Sequence, residues 1–184
     1  SESRSITMAI VDVESMTDVQ IFDFETGTQG WEGSQTVTTT DEISVDPAGH
    51  SLKMCRSAGD YATPEEYIQR SVTLPNRAKV YLSYYINWYI DPRNTGSTVY
   101  YGKIDRVKAY VNGVLALEAI KEFLKINYPN RGYRDKWIKV GLDLSDYAGQ
   151  TVTIKLAYRA VYYVTAPKFP ICGLFDRIVI GGSD

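Results

Sequence analysis

The sequence predicts an all-β fold, an antiparallel β-sandwich with at most one short helix near residues 117–126. Three observations predict it. Short runs alternate apolar and polar residues with the period of two that marks a half-buried strand, as in "VQIFDFE" and "TVTIKLAY". Turn signals built from Gly, Pro, Asn and Asp separate these runs. No internal repeat, heptad or low-complexity tract points to another architecture. Many short strands divided by turns argue a sandwich or a barrel.

The elements follow in chain order. In "SITMAIVDVES", Ile6, Met8 and Ile10 alternate with Thr7 and Ala9, and Val11 and Val13 continue on the other parity, so the segment reads as a strand. In "VQIFDFE", Asp23 and Glu25 alternate with Phe22 and Phe24. "GTQGWEG" is a glycine-rich turn, "QTVTTT" and "EISV" read as short strands, and "DPAGH" turns the chain into the strand "HSLKMCRS". "EEYIQRSVTL" is a strand broken by "PNRA". "KVYLSYYINWYI" is the longest run. Leu82, Tyr84, Ile86, Trp88 and Ile90 share its core face, and Tyr81, Ser83, Tyr85, Asn87 and Tyr89 share a polar-aromatic face that is covered or concave.

After the loop "DPRNTGST", Asn112-Gly113 in "RVKAYVNGVLAL" predicts a type I′ hairpin, because both central residues of that turn need φ > 0. "EAIKEFLKI" carries Ala, Glu, Lys and Leu and is compatible with one short helix. Beyond the loop "NYPNRGYRD", the segment from Trp137 to Val164 gives two strands joined by a polar corner. "LFDRIVIGG" is the terminal strand.

Composition narrows the function. A chain of 184 residues most simply forms one domain. Twenty Lys and Arg against 22 Asp and Glu give a net charge of -2 with no basic stripe, which argues against nucleic-acid binding. No apolar run approaches the ~20 residues of a membrane helix. The chain begins at Ser1 with no signal peptide in view, as either a trimmed expression product or a processed secretory precursor would. Fifteen tyrosines suit strands and wet, half-buried surfaces, including sugar-binding faces. Cys55 and Cys172 are either two buried thiols or one disulfide of a secreted protein.

Catalytic chemistry finds little footing. His50 is the only histidine and sits in a turn, so a nucleophile–histidine pair lacks support. Zinc would need several Cys and His ligands. No glycine-rich loop precedes a helix to cradle phosphate. Glycoside hydrolysis needs two carboxylates, and pairs such as Glu65/Glu66 or Glu118/Glu122 have no distinctive setting. The chain reads as non-enzymatic.

"FDFETGTQGWEG", "HSLKM", "VKAYVNGV", "WIKVGLDLSDYAGQTVTIKLAY" and "GLFDRIVIGG", in that order, resemble the galactose-binding-domain-like jelly rolls, including carbohydrate-binding modules. The resemblance covers roughly residues 20–182 and is most specific from Trp137 through Leu156. It implies a jelly-roll domain over 20–184, with 1–19 as an extension. It implies that Cys55 and Cys172, beside neighbouring strands, pair as a disulfide. It also implies a structural Ca2+ held by Glu25, the Lys53 carbonyl and Asp176, with Asp23 as a weaker candidate. Hard oxygen ligands of this kind suit calcium. The alternative is that Glu25 and Asp176 pair with Arg56 or Arg177.

Two functions compete. An apolar strand ahead of a complete sandwich can add to the sheet edge of a neighbouring copy, with Ile6, Met8, Ile10, Val11 and Val13 filling its pockets. Such head-to-tail contacts build filaments or tubes. "VDVES", residues 11–15, resembles the early part of archaeal cannula subunits, secreted proteins that form tubes with calcium. This reading, an extracellular homopolymer subunit, is the preferred expectation. The alternative is a carbohydrate-binding domain, with Tyr81, Tyr85, Asn87, Tyr89 and Tyr110 offering aromatic and amide contacts to glycans.

Overall fold

A computed structural model describes residues 11–55, 65–90, 99–119, 122–127, 137–162 and 171–184. Its strands are β1 (Asp18–Phe22), β2 (Glu32–Gly33), β3 (Val37–Thr40), β4 (Ser51–Cys55), β5 (Glu65–Thr73), β6 (Lys79–Ile90), β7 (Val99–Val111), β8 (Val114–Ala119), β9 (Glu122–Asn127), β10 (Ile138–Asp143), β11 (Thr151–Tyr162) and β12 (Ile171–Ser183). Single 3-10 turns span Val13–Ser15 and Ser145–Tyr147.

The strands form two antiparallel sheets. The first runs β10-β6-β12-β4-β3, with β1 also on β12, and the second runs β2-β5-β11-β7-β8, with β9 also on β7. Alternation decides which side chains lie between them. Leu82, Tyr84, Ile86 and Trp88 of β6 meet Val152, Ile154, Leu156 and Tyr158 of β11 in one core, all at most 1% exposed. Each such side chain contributes about 1.5–3 kcal/mol relative to an exposed one. Tyr158 donates from its hydroxyl to the Met54 carbonyl and accepts the Gly173 amide at 3.1 Å, so its polar end is satisfied inside the core.

The Asn112-Gly113 turn has φ 49° and 78°, the left-handed pair a type I′ hairpin requires, and sets Val111 opposite Val114. That hairpin bears on the expected helix near residues 117–126. Residues 114–119 and 122–127 are β8 and β9, both paired to β7. Ladder bonds to β7 override the helix propensity of Glu, Leu and Lys. "EISV" (residues 42–45) is likewise no strand but part of the irregular link from β3 to β4.

β12 carries a bulge. Its register with β6 slips between Asp176 and Val179, and Arg177 has φ 47°. The slip changes parity: Phe175 points into the core before it, and Ile178 and Ile180 do after it. Val179 therefore faces outward. Val13 from the first 3-10 turn covers it, together with Val11, Met16, Val19 and Tyr81. The expected strand over residues 5–15 is corrected for its described part: Asp12 caps a 3-10 turn over Val13–Ser15 by accepting the Glu14 amide. Ile6, Met8 and Ile10 lie outside the described residues. The division expected between residues 19 and 20 falls inside β1.

Candidate functional site

The two outer sheet faces differ. On the first sheet, a second apolar cluster joins Cys172, Leu174, Ile43, Cys55 and Trp137. Cys55 and Cys172 are directly opposed in the β4–β12 register and form a disulfide. Ser83 and Asn87 are buried there, and Tyr81 and Tyr85 are half-buried. The Asn87 side-chain oxygen accepts the neighbouring Trp88 amide at 2.8 Å, and Lys139 Nζ lies 5.6 Å from the centre of the Tyr85 ring. The Tyr89 side chain lies outside the described set. Much of this polar-aromatic face is thus covered by the chain itself.

The outer face of the second sheet is more open toward its hairpin end, where Ser71, Asn112 and Thr153 are exposed, while Ala157 is buried. β5, β11 and β7 lie side by side and align their residues in rows. Tyr67, Ala157 and Lys108 form one row, and Gln69, Lys155 and Tyr110 form the next. At the hairpin end, Asn112 holds Thr153 from both sides: its amide donates to the Thr153 carbonyl and its side-chain oxygen accepts the Thr153 amide, each at 2.9 Å. Beside these rows a shallow cleft is lined by Gly30, Glu32, Gln69, Arg70, Ser71 and Thr153. The Arg70 guanidinium lies 4.7 Å from the Phe22 ring centre and donates to the Gln29 carbonyl at 2.9 Å, which fixes the cleft's inner wall.

The tyrosines are held by specific partners. Lys155 Nζ stands 4.4 Å from the centre of the Tyr110 ring and 4.8 Å from that of Tyr67. The Tyr110 hydroxyl donates to Glu65 Oε2 at 3.0 Å, and Lys108 Nζ contacts the same oxygen at 3.2 Å. Burial and the Glu65 carboxylate push the Tyr110 hydroxyl above its ordinary pKa. Tyr110 is thus fixed at its hydroxyl and its ring face, and Tyr67 at its ring face.

Tyr110 is therefore separated from Tyr81 and Tyr85, which sit on the opposite outer face of the sandwich. Among the residues the sequence singled out, Tyr110 and the hairpin's Asn112 belong to this second-sheet face. Sequence reading missed Tyr67, Gln69, Thr153 and Lys155. The available signal was parity: in "EEYIQRSVT" the core residues Ile68 and Val72 place Tyr67, Gln69 and Ser71 outward.

The expected calcium ligands occupy one corner of the first sheet, in part. Glu25 accepts the His50 amide at 2.7 Å and contacts His50 Nδ1 at 2.9 Å. That pairing holds the Glu25 carboxyl below, and the His50 ring above, its ordinary pKa. Asp176 accepts amide donors from Val45 and Arg177, each at 2.7 Å. Burial, with the charges of Asp46 and Glu25 adding, pushes Asp176 up to about 6. Asp23 accepts the Glu25 amide at 3.2 Å. Lys53 lies in register between Thr38 and Leu174, inside the ladder, and its ammonium contacts Glu42 at 3.6 Å. Arg177 contacts Glu14 and reaches Asp46 at 2.6 Å. No cluster of three or more His, Cys, Asp or Glu with metal-holding geometry occurs among the described residues.

No protein-family model matches the chain, and no curated protein matches it in sequence. Solved structures share its fold. A Caldicellulosiruptor saccharolyticus CBM27-1 in complex with mannohexaose has 9% identity and a TM-score of 0.56, over 90% of this chain and 97% of that one. The K1 cleaved adhesin domain of Lys-gingipain from Porphyromonas gingivalis W83 has 14% identity and a TM-score of 0.53, over 91% and 100%. TmCBM27, a module described for specific mannan recognition, has 16% identity and a TM-score of 0.51, over 90% and 99%. The chain has the jelly-roll fold of these carbohydrate-binding modules and adhesin domains. Among the described residues no helix is long and apolar enough to cross a membrane.

Proposed function

We propose that this chain is an extracellular, non-catalytic domain that binds a glycan on the outer face of its second sheet. One observation carries the reading: an open polar cleft lies beside two tyrosine rings held in fixed positions on the same face. Planar rings stack on the C–H faces of pyranoses, and the amide of Gln69 and the hydroxyls of Ser71 and Thr153 suit sugar hydroxyls. The shared fold with modules named for mannan and mannohexaose supports the class as an analogy. A disulfide between β4 and β12 supports an oxidising, extracellular setting.

The test is a polysaccharide panel read by affinity electrophoresis on the wild type, Tyr67→Ala and Tyr110→Ala. Retardation on at least one glycan, weakened about tenfold in each variant, supports the reading, since about 1.4 kcal/mol of lost contact is a factor of ten. A folded wild type that migrates freely through every glycan removes it.

Calcium belongs to the proposal in reduced form. Glu25, the Lys53 carbonyl and Asp176, with Asp23, would have to turn their oxygens toward one ion, because no cluster of three carboxylates holds that geometry among the described residues. A melting temperature raised by calcium in the wild type but not in Asp176→Asn supports this, and no calcium effect removes it. Homopolymer assembly by strand donation has no supporting observation among the described residues. Val13 and Val11 already pack on Val179 of their own domain, and glycan binding takes precedence.

A further inference from the structure

We infer that the glycan is acidic and that Lys155 receives a carboxylate carried by one of its sugars. This rests on the glycan-binding reading above. Lys155 occupies the middle strand of the open face, between Gln69 on β5 and Tyr110 on β7. Its neighbours on that face are matched within the chain: Arg106 contacts Glu118 at 2.6 Å, and Lys108 contacts Glu65 at 3.2 Å. Lys155 differs. Its ammonium lies 4.4 and 4.8 Å from two tyrosine ring centres, and no carboxylate pairs with it among the described residues.

Ring faces attract a cation and replace part of its water shell, but they take none of its three N–H donors and leave its charge uncompensated. Two carboxylates border this patch: Glu65 is already engaged by Lys108 and by the Tyr110 hydroxyl, and Glu32 stands one strand beyond Gln69, in the adjoining cleft. The site therefore presents a positioned positive charge between the two rings against which sugars would rest. Lys155 takes the ring faces turned toward it, so a pyranose would rest against the solvent-facing edges of Tyr67 and Tyr110 and point a substituent at the ammonium between them. A carboxylate there meets the ammonium with a charge-assisted hydrogen bond. Neutral hydroxyls are already served by Gln69, Ser71 and Thr153 in the adjoining cleft, so a cation at the centre is the feature a neutral glycan would leave unused.

The experiment compares polygalacturonate and alginate with neutral mannan and xylan by affinity electrophoresis and titration calorimetry. Wild type, Lys155→Met and Lys155→Arg are measured at low and high salt, and a sulfated glycan serves as a further arm. Methionine keeps the stem between the rings and removes the charge. The expected result is a polyuronate bound about tenfold more tightly than the neutral glycans, an advantage erased by Lys155→Met, kept by Lys155→Arg and reduced by salt. Preference for the sulfated arm, with the same dependence on Lys155, supports the anionic subsite and assigns its source to sulfate. Equal or tighter binding of a neutral glycan, unchanged in Lys155→Met, overturns the inference while glycan binding stands. Absence of binding to every glycan overturns both.

Discussion

Removing the disulfide tests how this sandwich is held. Cys55 and Cys172 are separated by 117 residues and join β4 to β12. In the chain-entropy argument, releasing a loop of that length from the unfolded ensemble costs about 5 kcal/mol of stability at 25 °C. A domain of this size has about 5–15 kcal/mol in total, so the bond accounts for a large share. The perturbation is Cys55→Ala with Cys172→Ala, measured by urea unfolding followed through tryptophan fluorescence. Trp31 and Trp88 are suitable reporters, at 2% and 1% exposure. With a denaturant slope of about 2 kcal/mol per molar, the midpoint falls by about 2 M. Thermal unfolding falls by about 10–20 °C. A midpoint within roughly half a molar of wild type would mean that the disulfide contributes little, the span it closes being already restrained in the unfolded chain.

Other outcomes follow from single contacts. Gly173→Ala drives a methyl into the Tyr158 ring and breaks the alignment of its hydroxyl, so urea unfolding should register a loss of about 3 kcal/mol. Gly113→Val, at φ 78°, strains the β7–β8 turn and lowers the melting temperature, with a cost of about 1–2 kcal/mol. Arg177→Ala frees the first 3-10 turn from β12, and hydrogen exchange at residues 12–16 should accelerate while the core amides stay protected. The same contact has a pH signature. Arg177 holds the Glu14 carboxyl below its ordinary pKa of 4.5, so its stabilisation is present above that value and is lost as pH falls through the lowered one. Exchange at residues 12–16 should therefore rise in acid in the wild type, and an unchanged profile would remove Glu14 as the anchor.

Most of the sandwich was legible because its signals are local. The alternation of β6 and β11 and the Asn112-Gly113 turn each carry their own physics, a period of two and a pair of positive φ angles. Two features were illegible for the opposite reason. β9 and the end of β8 are strands because β7 lies beside them, although Glu, Leu and Lys favour helix. The β12 bulge flips parity at Arg177, so strict alternation from Asp176 would put Ile178 and Ile180 on the wrong face. The outer face of the first sheet read as covered or concave from the parity of Tyr81 and Tyr85, and the turn at Val13 and the cluster around the disulfide do cover much of it. The same sequence reasoning marked Tyr110 yet paired it with tyrosines on the other sheet, since parity gives a face within one strand and says nothing of which sheet that strand joins. Tyr67 and Lys155 emerge only when β5, β11 and β7 are aligned in register.

The most direct measurement of the central claim is an amide chemical-shift titration of the labelled protein with an oligosaccharide from the glycan it retains best. Shifts are expected to concentrate at Tyr67, Gln69, Tyr110, Asn112, Thr153 and Lys155 on the second sheet. Shifts centred instead on Tyr81 and Tyr85 of the first sheet, with those residues silent, would contradict the claim.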